Sequence, residues 1–147
     1  ISGLFSGKSY NLDSLTVGVT EDPTVSRMTI SVTSDDITFE QIKKQLNRSV
    51  EVIKVIDLSD ISINMKEIMF IKVNKCTERD KEEVFRMERV FGLKVVDYDR
   101  NSILIECVNT ESKNNELVKL FSKAFLNRIE VVRGGSVAIE SVTRTDR

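Results

Sequence analysis

The sequence predicts an α+β protein made of two tandem βαββαβ units, and three observations carry that prediction. From Glu67 onward, apolar positions recur with strand and helix periods in the order β-α-β-β-α-β. The preceding segment reads α-β-β-α-β, the same order without its opening strand. A length of 147 residues is enough for two small units, each of about 70 residues.

In the first half, Ile1-Ser2-Gly3-Leu4-Phe5-Ser6 has apolar residues at i, i+3 and i+4 with no capping residue ahead of them, which reads as the middle of a helix. The expectation is that a strand precedes it in the native protein, and that any targeting segment lies there too. Leu15, Val17 and Val19 then alternate with polar residues, Glu21-Asp22-Pro23-Thr24 interrupts, and Met28, Ile30 and Val32 alternate again: two strands joined by a turn. Thr38 with Gln41 has the spacing of a capping box, and Phe39, Ile42 and Leu46 form the apolar stripe of a helix ending near Asn47. Val50 to Asp57 is β-branched and apolar on both faces, as in a covered strand. Leu58 to Asn64 loses any period, so the first domain is placed at residues 1–60.

The second domain is placed at residues 66–142. Glu67 to Val73 reads as a strand, and Thr77 as the cap of a helix whose Val84, Met87 and Phe91 share a face. Lys94 to Tyr98 and Ser102 to Val108 read as strands around Asp99-Arg100-Asn101. Ser112 is expected to cap a helix bearing Leu117, Leu120, Phe121 and Ala124, followed by a strand from Arg128 to Val132. Gly134-Gly135 reads as a turn, Ser136 to Val142 as a last extended run, and Thr143 to Arg147 as a frayed tail.

Composition narrows the function. Lys and Arg total 22 against 23 Asp and Glu, a net charge of -1, which gives no overall attraction to nucleic acid or to an anionic membrane. The longest apolar run, Ile68-Met69-Phe70-Ile71, is far short of a membrane span, so a soluble chain is expected. With no His and only Cys76 and Cys107, most zinc sites and every nucleophile that relies on an imidazole base are excluded. The two cysteines lie in apolar stretches and read as buried, reduced thiols, which implies a reducing compartment.

The candidate chemistry is thin. Arg79 with Glu83 and Glu82 with Arg86 are i, i+4 pairs in a charge run that reads as a solvated helix face. Asp35-Asp36 precedes a helix, where carboxylates complement the dipole, and Asp97 with Asp99 is the other carboxylate pair. The glycines match no phosphate-binding spacing. Of the phenylalanines only Phe70 falls on an expected strand, so the sheet lacks the stacking residues of an RNA platform. Asn11, between a helix end and a strand start, is either a turn residue bonded to its own backbone or a donor and acceptor for a small polar ligand.

Leu4-Phe5-Ser6, the run from Tyr10 to Val17, the run from Thr20 to Ile30, Glu40 to Asn47 and Val52-Ile53-Lys54-Val55 resemble the regulatory (small) subunit of acetolactate synthase. Lys66 to Val73 and Val131-Val132-Arg133-Gly134-Gly135 resemble the start and end of that family's C-terminal domain. The resemblance implies an N-terminal ACT domain, a ferredoxin-like amino-acid sensor lacking its first strand here, followed by a second ferredoxin-like domain. It implies a non-catalytic homodimer that holds no cofactor and binds a catalytic subunit carrying thiamine diphosphate, flavin and metal. The cytoplasm is the expected compartment, or the plastid stroma in a photosynthetic eukaryote. The implied effector is a branched-chain amino acid, most commonly valine. Asn11 would accept from its ammonium, with Leu12 and Tyr10 flanking on opposite sides of the strand. Family members usually have Gly where this chain has Ser9. The alternatives are a free-standing ACT-type sensor with another target and, behind it, an RNA-binding ferredoxin-like protein.

Overall fold

In the computed structural model, which describes residues 11–49 and 51–143, Asn11–Val19 (β1) and Ser26–Thr33 (β2) pair antiparallel as a two-stranded sheet. Leu12 lies opposite Val32, Leu15 opposite Ile30 and Val17 opposite Met28, so directly opposed apolar residues share one face. Ser14 with Ser31 and Thr16 with Thr29 occupy the other. The connecting turn is closed by Val25 N–H donating to Asp22 O at 2.9 Å and Thr20 N–H donating to Val25 O at 3.0 Å. The hydroxyl of Thr24, then its backbone N–H, bond the Asp22 carboxylate and hold its pKa below the usual value.

Helix α1 (Asp36–Arg48) buries Ile42. Its cap is Asp35, which accepts from the Thr38 N–H at 2.7 Å, so the expected cap at Thr38 lies inside the helix instead. Asp35 is extended (φ −75°, ψ 167°), and a carboxylate there satisfies a free donor and also meets the positive end of the helix dipole.

The strand expected over Val50–Asp57 does not form: residues 51–57 belong to no strand, and Val50 lies outside the described residues. High β-propensity does not make a strand without a neighbour to take up its N–H and C=O groups, and the first-half sheet consists of β1 and β2 among the described residues. The segment is tied to α1 by Lys43 Nζ, 3.0 Å from Asp57 Oδ2. The expected opening helix and the end of the tail lie outside the described residues.

The second half gives the full β-α-β-β-α-β order: β3 (Ile63–Val73), α2 (Glu78–Phe91), β4 (Lys94–Tyr98), β5 (Ile103–Asn109), α3 (Glu111–Ala124) and β6 (Ile129–Glu140). The strand order is β4-β5-β3-β6, with β3 and β5 antiparallel in unbroken register from Glu67 opposite Asn109 to Val73 opposite Ile103. Met69, Ile71 and Val73 of β3 and Ile103, Ile105 and Cys107 of β5 form one buried face. Against it pack Val84 and Met87 of α2, Leu117 and Phe121 of α3, and Phe125 just beyond. The Phe121 and Phe125 rings meet at 5.9 Å between centroids.

Contacts divide the chain into two compact units: the described residues up to Asn64 together with those from Ala138, and Met65–Val137. Strand β3 starts at Ile63, inside the segment expected to be aperiodic. Its end is held where Ser141 N–H donates to Ser62 O at 2.9 Å.

Thr77 caps α2 as expected and closes a capping box with Asp80. Gly92 ends that helix with φ +66°, a left-handed conformation that glycine adopts without strain. The cap of α3 is Thr110 and not Ser112, with the Thr110 hydroxyl accepting from Lys113 N–H at 3.2 Å. The charge run on α2 pairs at i, i+3: Arg86 Nη2 lies 2.6 Å from Glu83 Oε2, and Lys81 Nζ lies 3.8 Å from Glu78 Oε1. Gly134-Gly135 is no turn; both lie within β6.

Candidate functional site

The residues singled out for an amino-acid effector lie at the start of β1. Asn11 is its first residue and pairs with Thr33. Leu12, opposite Val32, is partly exposed. The Asn11 side chain and all of Tyr10 lie outside the described residues. The register slips by one residue between Leu12 and Ser14, leaving Asp13 as an extra residue in β1. Thr33 Oγ1 donates to Asp13 Oδ2 at 2.7 Å and holds that bulge across the hairpin. A bulge bends the strand and re-aims the side chains beside it, a common device next to binding sites. Asp13 carried no signal in the sequence, because a bulge depends on the partner strand as well as on its own.

In each of the two carboxylate pairs one member bonds backbone N–H groups. Asp35 caps α1. Asp99 accepts from Asn101 N–H and Ser102 N–H at 2.9 and 2.7 Å, which close the β4–β5 turn and lower its pKa. Among the described residues no group of three or more His, Cys, Asp or Glu is placed to hold a metal ion. Cys76 and Cys107 are free and buried, and burial pushes both thiols up, Cys107 to about 11. Such thiols are poor nucleophiles. Among the described residues, no helix is long and apolar enough to cross a membrane.

Among the described residues, the buried polar side chains Glu67, Asn114 and Ser136 gather in the second unit, at positions the sequence reading did not single out. Glu67, on the inward face of β3, is 3% exposed. Its Oε1 accepts from Arg133 Nη2 at 2.7 Å and from Asn114 Nδ2 at 3.0 Å, and its Oε2 from Gly135 N–H at 3.1 Å. Burial pushes the Glu67 carboxyl up, but Arg133, with Asn114 and Gly135, overcomes it and holds the pKa below its ordinary value. Arg133 also donates to Asn115 Oδ1 at 2.6 Å and to Glu111 O at 3.2 Å, and Ser136 Oγ donates to Glu111 Oε2 at 3.1 Å. A signal was present: Glu67 shares the strand parity of Met69, Ile71 and Val73, which makes it a charged residue in an inward position.

This architecture matches known proteins. The family described as "Small subunit of acetolactate synthase" matches residues 66–142, and "AHAS small subunit-like ACT domain" matches residues 1–54. The acetolactate synthase small subunit of Aquifex aeolicus is 39% identical over 139 residues, covering 95% of this chain and 71% of the relative. The acetolactate synthase isozyme 3 small subunit of Escherichia coli is 33% identical, covering 95% and 84%. A crystal structure of the acetolactate synthase small subunit from Thermotoga maritima is 34% identical, with a TM-score of 0.80 over 97% of this chain and 87% of that one. These matches span both units, the first being an ACT domain that is partial here and the second a ferredoxin-like module. The chain belongs to the acetolactate synthase small-subunit family.

Proposed function

We propose that this chain is the regulatory subunit of a thiamine diphosphate-dependent acetolactate synthase, working in branched-chain amino-acid biosynthesis. It binds the catalytic subunit, raises its rate and makes it sensitive to feedback by a branched-chain amino acid, with valine as the first candidate. The supporting observation is a small-subunit match running through both units, at 39% identity to one relative over 95% of the chain. The chain itself does no chemistry in this reading, which is supported by Asp35 serving a cap, Asp99 a turn and Glu67 an ion pair, and by the burial of both thiols. Residues 1–60 form the effector-sensing ACT domain and residues 66–142 the second domain. Two copies pair side by side, covering sheet edges that would otherwise stay open. The working compartment is the cytoplasm, or the plastid stroma in a photosynthetic eukaryote.

Asn11 accepts a hydrogen bond from the effector's ammonium, with Leu12 and Tyr10 as flanking residues. The position supports this: Asn11 opens β1 beside the Asp13 bulge. The test is to add the purified chain to the catalytic subunit with pyruvate. The chain alone should make no acetolactate, and its addition should raise the catalytic subunit's rate; an unchanged rate refutes the proposal.

A further inference from the structure

Strand β6 changes which side it turns inward partway along its length. Before Arg133 the odd-numbered residues face the core, since Ile129 and Val131 pack against it while Glu130 and Val132 are exposed. After Gly135 it is Ser136 that turns to the helix side, 0% exposed and bonded to Glu111, whereas Val137 is 61% exposed. An extra residue inserted into an alternating strand produces such a change of side, and Gly135, with φ +86°, has the left-handed φ that a glycine bulge uses. Gly134 is fixed beside it, because a Cβ there would come within 3.1 Å of Ile68 Cγ2 and 3.3 Å of Ile68 O.

The side chain that grips this irregularity is Glu67. It takes the Gly135 N–H on one carboxylate oxygen and Arg133 on the other, so it holds the residues on both sides of the slip. Arg133 and Ser136 are in turn bonded to the first turn of α3. Asn114, fully buried, donates to the Glu67 carboxylate and to Glu67 O.

We propose that the clasp between the buried Glu67 and Arg133 is the register-determining device of β6, fixing the bulge at Gly134-Gly135 and so choosing whether Ser136 or Val137 turns inward. Without it, an unbulged β6 would turn Val137 inward and Ser136 outward, giving up the hydrogen bonds to the buried Glu67 carboxylate for an apolar contact. A buried charge that selects one arrangement among several is the best-attested use of such pairs.

The test places a single cysteine at Ser136 or at Val137 in the full-length protein and measures the rate of thiol labelling, with Cys76 and Cys107 replaced by alanine. With Glu67 present, Val137→Cys should react ~100-fold faster than Ser136→Cys, in line with their exposures. In Glu67→Gln and Glu67→Ala backgrounds that retain a cooperative unfolding transition, the ratio should collapse to below about tenfold or invert. An unchanged ratio in either folded variant overturns the proposal. So does loss of the cooperative fold in both, because the clasp would then be a condition of folding and not a choice between registers.

Discussion

Asp80 joins two tasks in one carboxylate. Its Oδ2 accepts from Thr77 N–H at 3.0 Å, completing the α2 capping box, and from Arg128 Nη1 at 2.7 Å. Arg128 first, then the Thr77 N–H, lower its pKa from 3.8 to about 2. A depressed carboxylate stabilises the fold fully above its unfolded pKa and loses that contribution as pH falls from 3.8 through about 2. Asp80→Asn should therefore cost ~1–2 kcal/mol at neutral pH, a solvent-screened figure, and flatten the acid side of the stability curve in that window. Urea unfolding at pH 7 and at pH 3 measures both. For the effector site, Asn11→Ala should weaken valine binding by about ten- to a hundredfold, the equivalent of a charge-assisted hydrogen bond of roughly 1.5–3 kcal/mol. It should leave activation of the catalytic subunit intact, which calorimetry and a rate assay would show separately. At this scale the sequence made Thr77 legible as a cap because the signal is local. Glu67 and Arg133 stayed hidden as a pair because their partnership is set by the β3–β6 pairing, across 66 positions of chain.

Among the elements, α3 shows how the second-half core is held. Leu117 and Phe121, one turn apart, are 2% and 0% exposed, and Phe121 meets both the sheet and Phe125. Phe121→Ala should destabilise the protein by about 3–5 kcal/mol, the usual cost of removing a buried ring and leaving a cavity. Denaturant titration would read this as a lower midpoint with little change in slope. The elements with a clear period were legible: β4 spans the expected Lys94–Tyr98, and α3 buries Leu117 and Phe121 of its expected face, although Ala124 at its end is exposed. The misplaced caps at Thr38 and Ser112 follow from a competition that the apolar stripe does not resolve. Asp35 and Thr110 lie upstream with capping side chains of their own, and each lengthens its helix. The Gly134-Gly135 turn failed for a different reason: paired glycines signal unusual backbone, and here a strand irregularity uses it. Val52–Asp57 shows that β-propensity is only half of a strand, since pairing supplies the rest.

Taken as a whole molecule, the βαββαβ plan was visible because the second half supplies the complete template, while the first half shows its β-β-α middle among the described residues. What the sequence could not display is assembly, since the sheet edges and exposed apolar residues that would meet a partner look the same in a list of residues as ordinary surface. Light scattering on the full-length protein should give twice the mass of one chain. The regulatory reading is most directly tested by titrating valine into the catalytic subunit with and without this chain, following acetolactate formation from pyruvate. The catalytic subunit alone should be slow and respond weakly to valine. With the chain added, it should run faster and be inhibited as valine rises. A mixture whose rate and valine response match those of the catalytic subunit alone would show that this chain does not regulate it.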